Sequence, residues 1–154
     1  MTVALVPAMV GLKGNETGAL VTSATTVLTN GQLVFTAVGD VQILDLYSEC
    51  ITANGAGATT VQYSITPASG TTTPISGVSA SLANAAAGTT FTLVGDALAT
   101  APTVAASGVD LSQTSRGIRF PTGTMTLVVA IGPSTGTWRH YLRYDAFENG
   151  AYVY

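Results

Sequence analysis

Thr60-Val61-Gln62-Tyr63-Ser64-Ile65-Thr66 alternates polar and apolar side chains at every position, which is the period of a half-buried β-strand. Val61, Tyr63 and Ile65 are therefore expected on a core face. Two further stretches carry the same signal. Thr124-Met125-Thr126-Leu127-Val128-Val129-Ala130-Ile131 alternates and then becomes continuously apolar, the pattern of a central strand covered on both faces. Thr137-Trp138-Arg139-His140-Tyr141-Leu142-Arg143-Tyr144 places Trp138, His140, Leu142 and Tyr144 on one face and Arg139, Tyr141 and Arg143 on the other.

Working outward, weaker strand patterns cover Leu20–Leu28, Gln32–Val38, Val41–Tyr47, Thr89–Val94 and Gly117–Phe120. Asn30-Gly31, Gly39-Asp40, Asn54-Gly55, Gly95-Asp96 and Asn149-Gly150 are turn signals, because Gly and Asx tolerate positive φ. Gly132–Gly136 reads as a longer hairpin loop joining the two best C-terminal strands. Pro67–Ser81 reads as a long loop with one short edge strand, Ser81–Ala87 as one or two helical turns, and Ala97–Ser107 shows no clear alternation. About eight short strands at this spacing predict an all-β single domain, a β-sandwich or jelly roll. It occupies residues 19–154, preceded by an apolar arm or edge strand over residues 1–18.

Composition agrees. The 154 residues are 47 % hydrophobic, with a net charge of −3 and 17 glycines, so the disordered class, which joins low hydrophobicity to high charge, is excluded. Charged residues make up 8 % of the chain, against a usual fraction of about 25 %. Thr and Val favour strands, whereas Lys, common on helix surfaces, occurs only as Lys13. So little charge leaves a free-standing domain poorly protected from association, and part of its surface is expected to be covered by a partner or by copies of itself.

The same composition weighs against other roles. A pI near 4.7 without a Lys/Arg cluster disfavours nucleic acid, where phosphates must be neutralised. Val3–Leu12 is apolar, but Pro7 interrupts it, no basic residue precedes it and it is too short for a bilayer, so no membrane anchor is expected. Cys50 and His140 are the only Cys and His, which precludes an intrachain disulfide and a zinc site. Asp40, Asp45, Asp96, Asp110 and Asp145 are scattered singly rather than grouped for calcium. No Gly-rich stretch has a phosphate loop's Lys-Ser/Thr ending. His140 is expected to be packed in the core; a nucleophile paired with it, Cys50 included, has no local signature. Asn15-Glu16-Thr17 is a glycosylation sequon with a high chance rate. No catalytic residue, cofactor or metal is expected.

All four Arg residues, Arg116, Arg119, Arg139 and Arg143, fall in the last third. Arg139, Tyr141 and Arg143 share a strand face, and Arg and Tyr are enriched at interfaces; the plainer expectation is a solvated face paired across strands to Asp or Glu. Candidate interface residues are thus Val3, Leu5, Val6 and Met9 of the arm together with Arg139, Tyr141 and Arg143.

The stretches Phe120–Thr124, Ser134–Trp138 and Leu142–Val153, with Ala87–Asp96 in the middle of the chain, resemble the corresponding parts of small tailed-phage structural proteins. These end with a Gly-Thr, an aromatic strand, an Arg-Tyr pair and a Gly-Ala before a last apolar strand. The resemblance implies a jelly-roll cement, or decoration, protein on the capsid exterior, assembled in the host cytoplasm. It would be homo-oligomeric and bridge neighbouring copies of the major capsid protein. Trp138, Tyr141, Tyr144, Phe147, Tyr152 and Tyr154 crowd the C-terminal region and favour a different role, a β-sandwich carbohydrate-binding module with rings that stack on sugars. A small hydrolase would require His140 exposed in a pocket beside an acid.

Overall fold

The computed structural model describes residues 18–94, 98–105, 117–131 and 135–154. The N-terminal arm with Val3, Leu5, Val6 and Met9, the sequon, the Gly95-Asp96 turn and Arg116 lie outside the described residues. The strands are β1 (Ala19–Thr22), β2 (Thr26–Val27), β3 (Gln32–Val38), β4 (Val41–Cys50), β5 (Thr60–Pro67), β6 (Thr73–Pro74), β7 (Thr90–Thr92), β8 (Thr103–Ala105), β9 (Ile118–Phe120), β10 (Gly123–Ala130), β11 (Thr137–Ala146) and β12 (Tyr152–Val153).

They form two antiparallel sheets. Sheet A runs β1-β11-β4-β7-β8, with β2 also on β11 and β9 also on β4; sheet B runs β12-β3-β10-β5-β6. With the main strands β1, β3, β4, β5, β6, β7, β10 and β11 counted one to eight, sheet A reads 1-8-3-6 and sheet B reads 2-7-4-5. That winding of two Greek keys is the jelly roll, an order that periodicity cannot reveal because it depends on pairing.

Alternation explains the packing. Val61, Tyr63 and Ile65 of β5, Met125, Leu127 and Val129 of β10, and Trp138, His140, Leu142 and Tyr144 of β11 are all buried. Phe91 of β7 sits at the centre, its ring centroid 5.2 Å from Trp138 and 5.8 Å from Tyr63. Burying a large aromatic contributes about 1.5–3 kcal/mol, so this group is a major part of the core. Bulges kink β4 at Leu44, opposite Arg143/Tyr144, and β3 at Val34, opposite Met125/Thr126, raising the local twist.

Four expectations change. The end of β10 is covered on one face only: Val128 is 44 % exposed, because a sheet in a two-layer sandwich has its other side outside. Residues 132–136 do not close a hairpin, since β10 belongs to sheet B and β11 to sheet A. Both strands bury one face, and they do so from opposite sides of the core. The segment Ser81–Ala87 forms turns rather than helix, with Ala85 N–H donating to Leu82 C=O and Thr89 N–H to Ala86 C=O, while Asn84 takes a φ of 55°. Leu82, fully buried, anchors it. Within Ala97–Ser107, Thr103–Ala105 pairs with β7, a strand too short to show alternation.

Candidate interaction faces and the buried polar core

The sandwich offers three places for chemistry: the polar group inside it and the outer face of each sheet. Inside, His140 lies opposite Ser48 in the β11–β4 register. The Ser48 hydroxyl is 2.5 Å from His140 Nδ1 and 2.6 Å from the Tyr63 hydroxyl. A serine beside a histidine is the first half of a hydrolase triad. Here all three side chains are 0 % exposed, and His140 Nε2 has no hydrogen-bond partner among the described residues. Burial lowers the His140 pKa from 6.5 to about 4 and raises that of Tyr63, so both rings are neutral at pH 7. Cys50 is also buried; its thiol donates to Thr52 C=O at 3.1 Å and its pKa is raised by burial. The exposed histidine that a hydrolase reading requires is not found at this position.

Arg139, Tyr141 and Arg143 emerge together on the outer face of sheet A. In register with β4 they stand opposite Glu49, Tyr47 and Asp45, the cross-strand pairing that stabilises a sheet surface. Tyr141 stacks on Tyr47 with centroids 4.6 Å apart and planes 10° apart, and its hydroxyl donates to Glu49 Oε2 at 3.1 Å. Arg139 Nε donates to Thr25 Oγ1 at 3.1 Å. The Tyr47 pKa is raised, first by burial and then by Tyr141, Asp45 and Glu49. Structure thus brings the three predicted residues together, with Arg139 and Tyr141 already engaged within the chain. Arg119, on β9, is instead ion-paired with Asp40 beside a pocket of about 440 Å³ that Ile65, Ile75 and Ile118 line. Among the described residues no group of three or more His, Cys, Asp or Glu is arranged to hold a metal.

The outer face of sheet B is different in kind. None of the residues of β3, β5, β6, β10 and β12 is charged, whereas sheet A carries Asp45, Glu49, Arg119, Arg139, Arg143 and Asp145. In place of charge, sheet B exposes Leu33, Val38, Val128, Tyr152 and Tyr154 at 39–63 %, set among Thr36, Thr124 and Thr126. Tyr152 and Tyr154 lie with ring centroids 5.9 Å apart. At the end of β10, Ile131 takes a φ of 54° and is 71 % exposed. For a β-branched residue that backbone costs about 1–3 kcal/mol, and the side chain it presents returns nothing to the core.

Sequence reading singled out the Arg-Tyr face and missed this one. Its signal was present: Gln32–Val38, Thr60–Thr66 and Thr124–Ile131 each lack charge. That they lie side by side becomes visible only with the strand order. In comparisons with known proteins, no family model, no curated protein and no solved structure matches this chain.

Proposed function

We propose that the protein is a structural virion component that binds the outer surface of a tailed-phage capsid and cements neighbouring major capsid protein subunits. The observation that carries the reading is the separation of charge between the two sheets. A domain with one charged, cross-strand-paired face and one uncharged, partly apolar face is built to have the second face covered. The jelly-roll winding and the resemblance of the C-terminal segments to phage structural proteins support the same reading, although fold alone assigns no function. Weak identical contacts repeated over a closed shell add through multivalency.

The test is co-sedimentation of the purified protein with capsid shells of the phage that encodes it. Saturable, stoichiometric binding and greater resistance of the shells to heat are expected. Protein that stays in the supernatant at all concentrations would overturn the reading.

One observation favours a second reading, a carbohydrate-binding module. Tyr152 and Tyr154, 42 % and 63 % exposed, form a tilted aromatic pair on which a sugar ring can stack. Micromolar glycan binding abolished by Tyr154→Ala would establish it.

A further inference from the structure

We infer that the outer face of sheet B is a self-association surface, and that the protein pairs with a second copy of itself, sheet B against sheet B about a twofold axis. The inference rests on the reading of the domain as an assembly module. In that pair sheet B is occupied by the second copy, and sheet A with Arg139, Tyr141 and Arg143 is the face left for a shell.

Self-complementarity selects the occupant. In a twofold contact the same patch supplies both sides, so any charge near the axis meets its own copy. Sheet A would bring Arg139, Arg143 and Glu49 into that position. Sheet B brings none, because its five strands contain no charged residue. Its outer face is built from Thr, Val, Leu and Tyr on β3, β10 and β12 and from Gln62, Ser64 and Thr66 on β5, where the Gln62 amide already donates to Ser76 C=O; the uncharged groups match one another without opposing like charges. Two such faces can pack as aligned sheets do, with side chains interdigitating across about 10 Å.

Area sets the strength. Strands β3, β10 and β5 run side by side for seven, eight and eight residues. At about 4.8 Å between strands and about 3.3 Å per residue, they and their short flanking strands project roughly 450 Å² per copy. Two copies bury roughly 900 Å², just under the about 1,000 Å² of a stable specific interface and in the range of weak, transient contacts. A reversible dimer with a Kd in the micromolar range is the outcome, rather than an obligate one.

Sedimentation equilibrium of the full chain without shells tests this directly. At about 100 µM the protein is expected to reach twice the 15.5 kDa chain mass, with little change between low and high salt because no ion pair contributes. Val128→Lys puts a charge on the central strand of the patch and should raise Kd at least tenfold while the circular dichroism spectrum is unchanged. Leu33→Lys, on the neighbouring strand, serves the same purpose if the first variant misfolds. A monomer at 100 µM would overturn the inference, as would a Val128→Lys variant that dimerises normally. Loss of the dimer in Leu5→Asp but not in Val128→Lys would assign the contact to the N-terminal arm and overturn it too. Shell binding is read separately: a monomer that still coats shells sinks the dimer and leaves the cement reading standing, and a dimer that ignores shells does the reverse.

Discussion

The Ser48 hydroxyl of sheet A lies 2.6 Å from the Tyr63 hydroxyl of sheet B, so a hydrogen bond joins the two layers through the middle of the core. His140 extends the link on its own sheet at 2.5 Å. A second polar link between the layers is the Val153 N–H of sheet B donated to the Tyr144 hydroxyl of sheet A at 3.3 Å, but only the Ser48–Tyr63–His140 group holds an imidazole, and it should dominate the response to pH.

The first prediction concerns acid. The folded-state pKa of His140 is depressed to about 4 against 6.5 for the free side chain. The unfolded chain therefore binds a proton between these values that the folded chain does not. This contribution is fully present above pH 6.5, declines as pH falls toward 4, and is constant below that. Its size is on the order of 3 kcal/mol. Urea unfolding at intervals from pH 7 to pH 4 should show the decline, and His140→Gln should flatten it. Equal slopes in the two proteins would contradict the assignment.

Removing members of the buried link should produce a definite order. Tyr63→Phe leaves one partner of Ser48 missing and is expected to cost about 1–2 kcal/mol. Ser48→Ala leaves both the Tyr63 hydroxyl and His140 Nδ1 without their partner, and about 2–4 kcal/mol is expected. The measurement is the urea midpoint at pH 7 with the m value held constant.

On the proposed cement role, Arg143→Glu should weaken shell binding while the fold stays intact. The new carboxylate stands opposite Asp45 in the β11–β4 register, and such a like-charge pair costs about 0.2–1 kcal/mol. Assembly unchanged in co-sedimentation would remove Arg143 from the interface.

Gly39→Ala tests the corner between β3 and β4. Gly39 has a φ of 77°, and an added Cβ would come within 2.7 Å of Ala151 Cβ. Positive φ costs about 1–2 kcal/mol for a residue with a Cβ, and the contact adds to it. A loss of more than 2 kcal/mol in thermal or urea unfolding is expected, roughly the size of a core truncation.

What could be read from the sequence follows from the physics of each signal. Period two along β5, β10 and β11 gave the sheets and the buried sides of Tyr63, Trp138, His140 and Tyr144, because alternation is a local property. Gln32–Val38 was legible to the residue. The hairpin expected over residues 132–136 was wrong since two amphipathic strands joined by a loop can pair in one sheet or face each other across a core. The uncharged face was hidden for the same reason. Leu33, Thr126 and Ser64 are far apart along the chain and adjacent only through the β3-β10-β5 order.

That order has a consequence for how the protein is made. Ala19 pairs with Tyr144, and the Gly18 N–H is bonded to the Asp145 carboxylate, so the first described strand has no sheet neighbour until one of the last is made. Strand β11 in turn supplies the contact between β1 and β4. Topologies so rich in distant pairings fold on the order of milliseconds to seconds. A ribosome adding about 5–20 residues per second must therefore release residues 137–146 before sheet A can close. Until then no finished sandwich exists to display the face of sheet B. Closing of the sandwich is thereby a late event, set by the arrival of β11 rather than by the strands made before it.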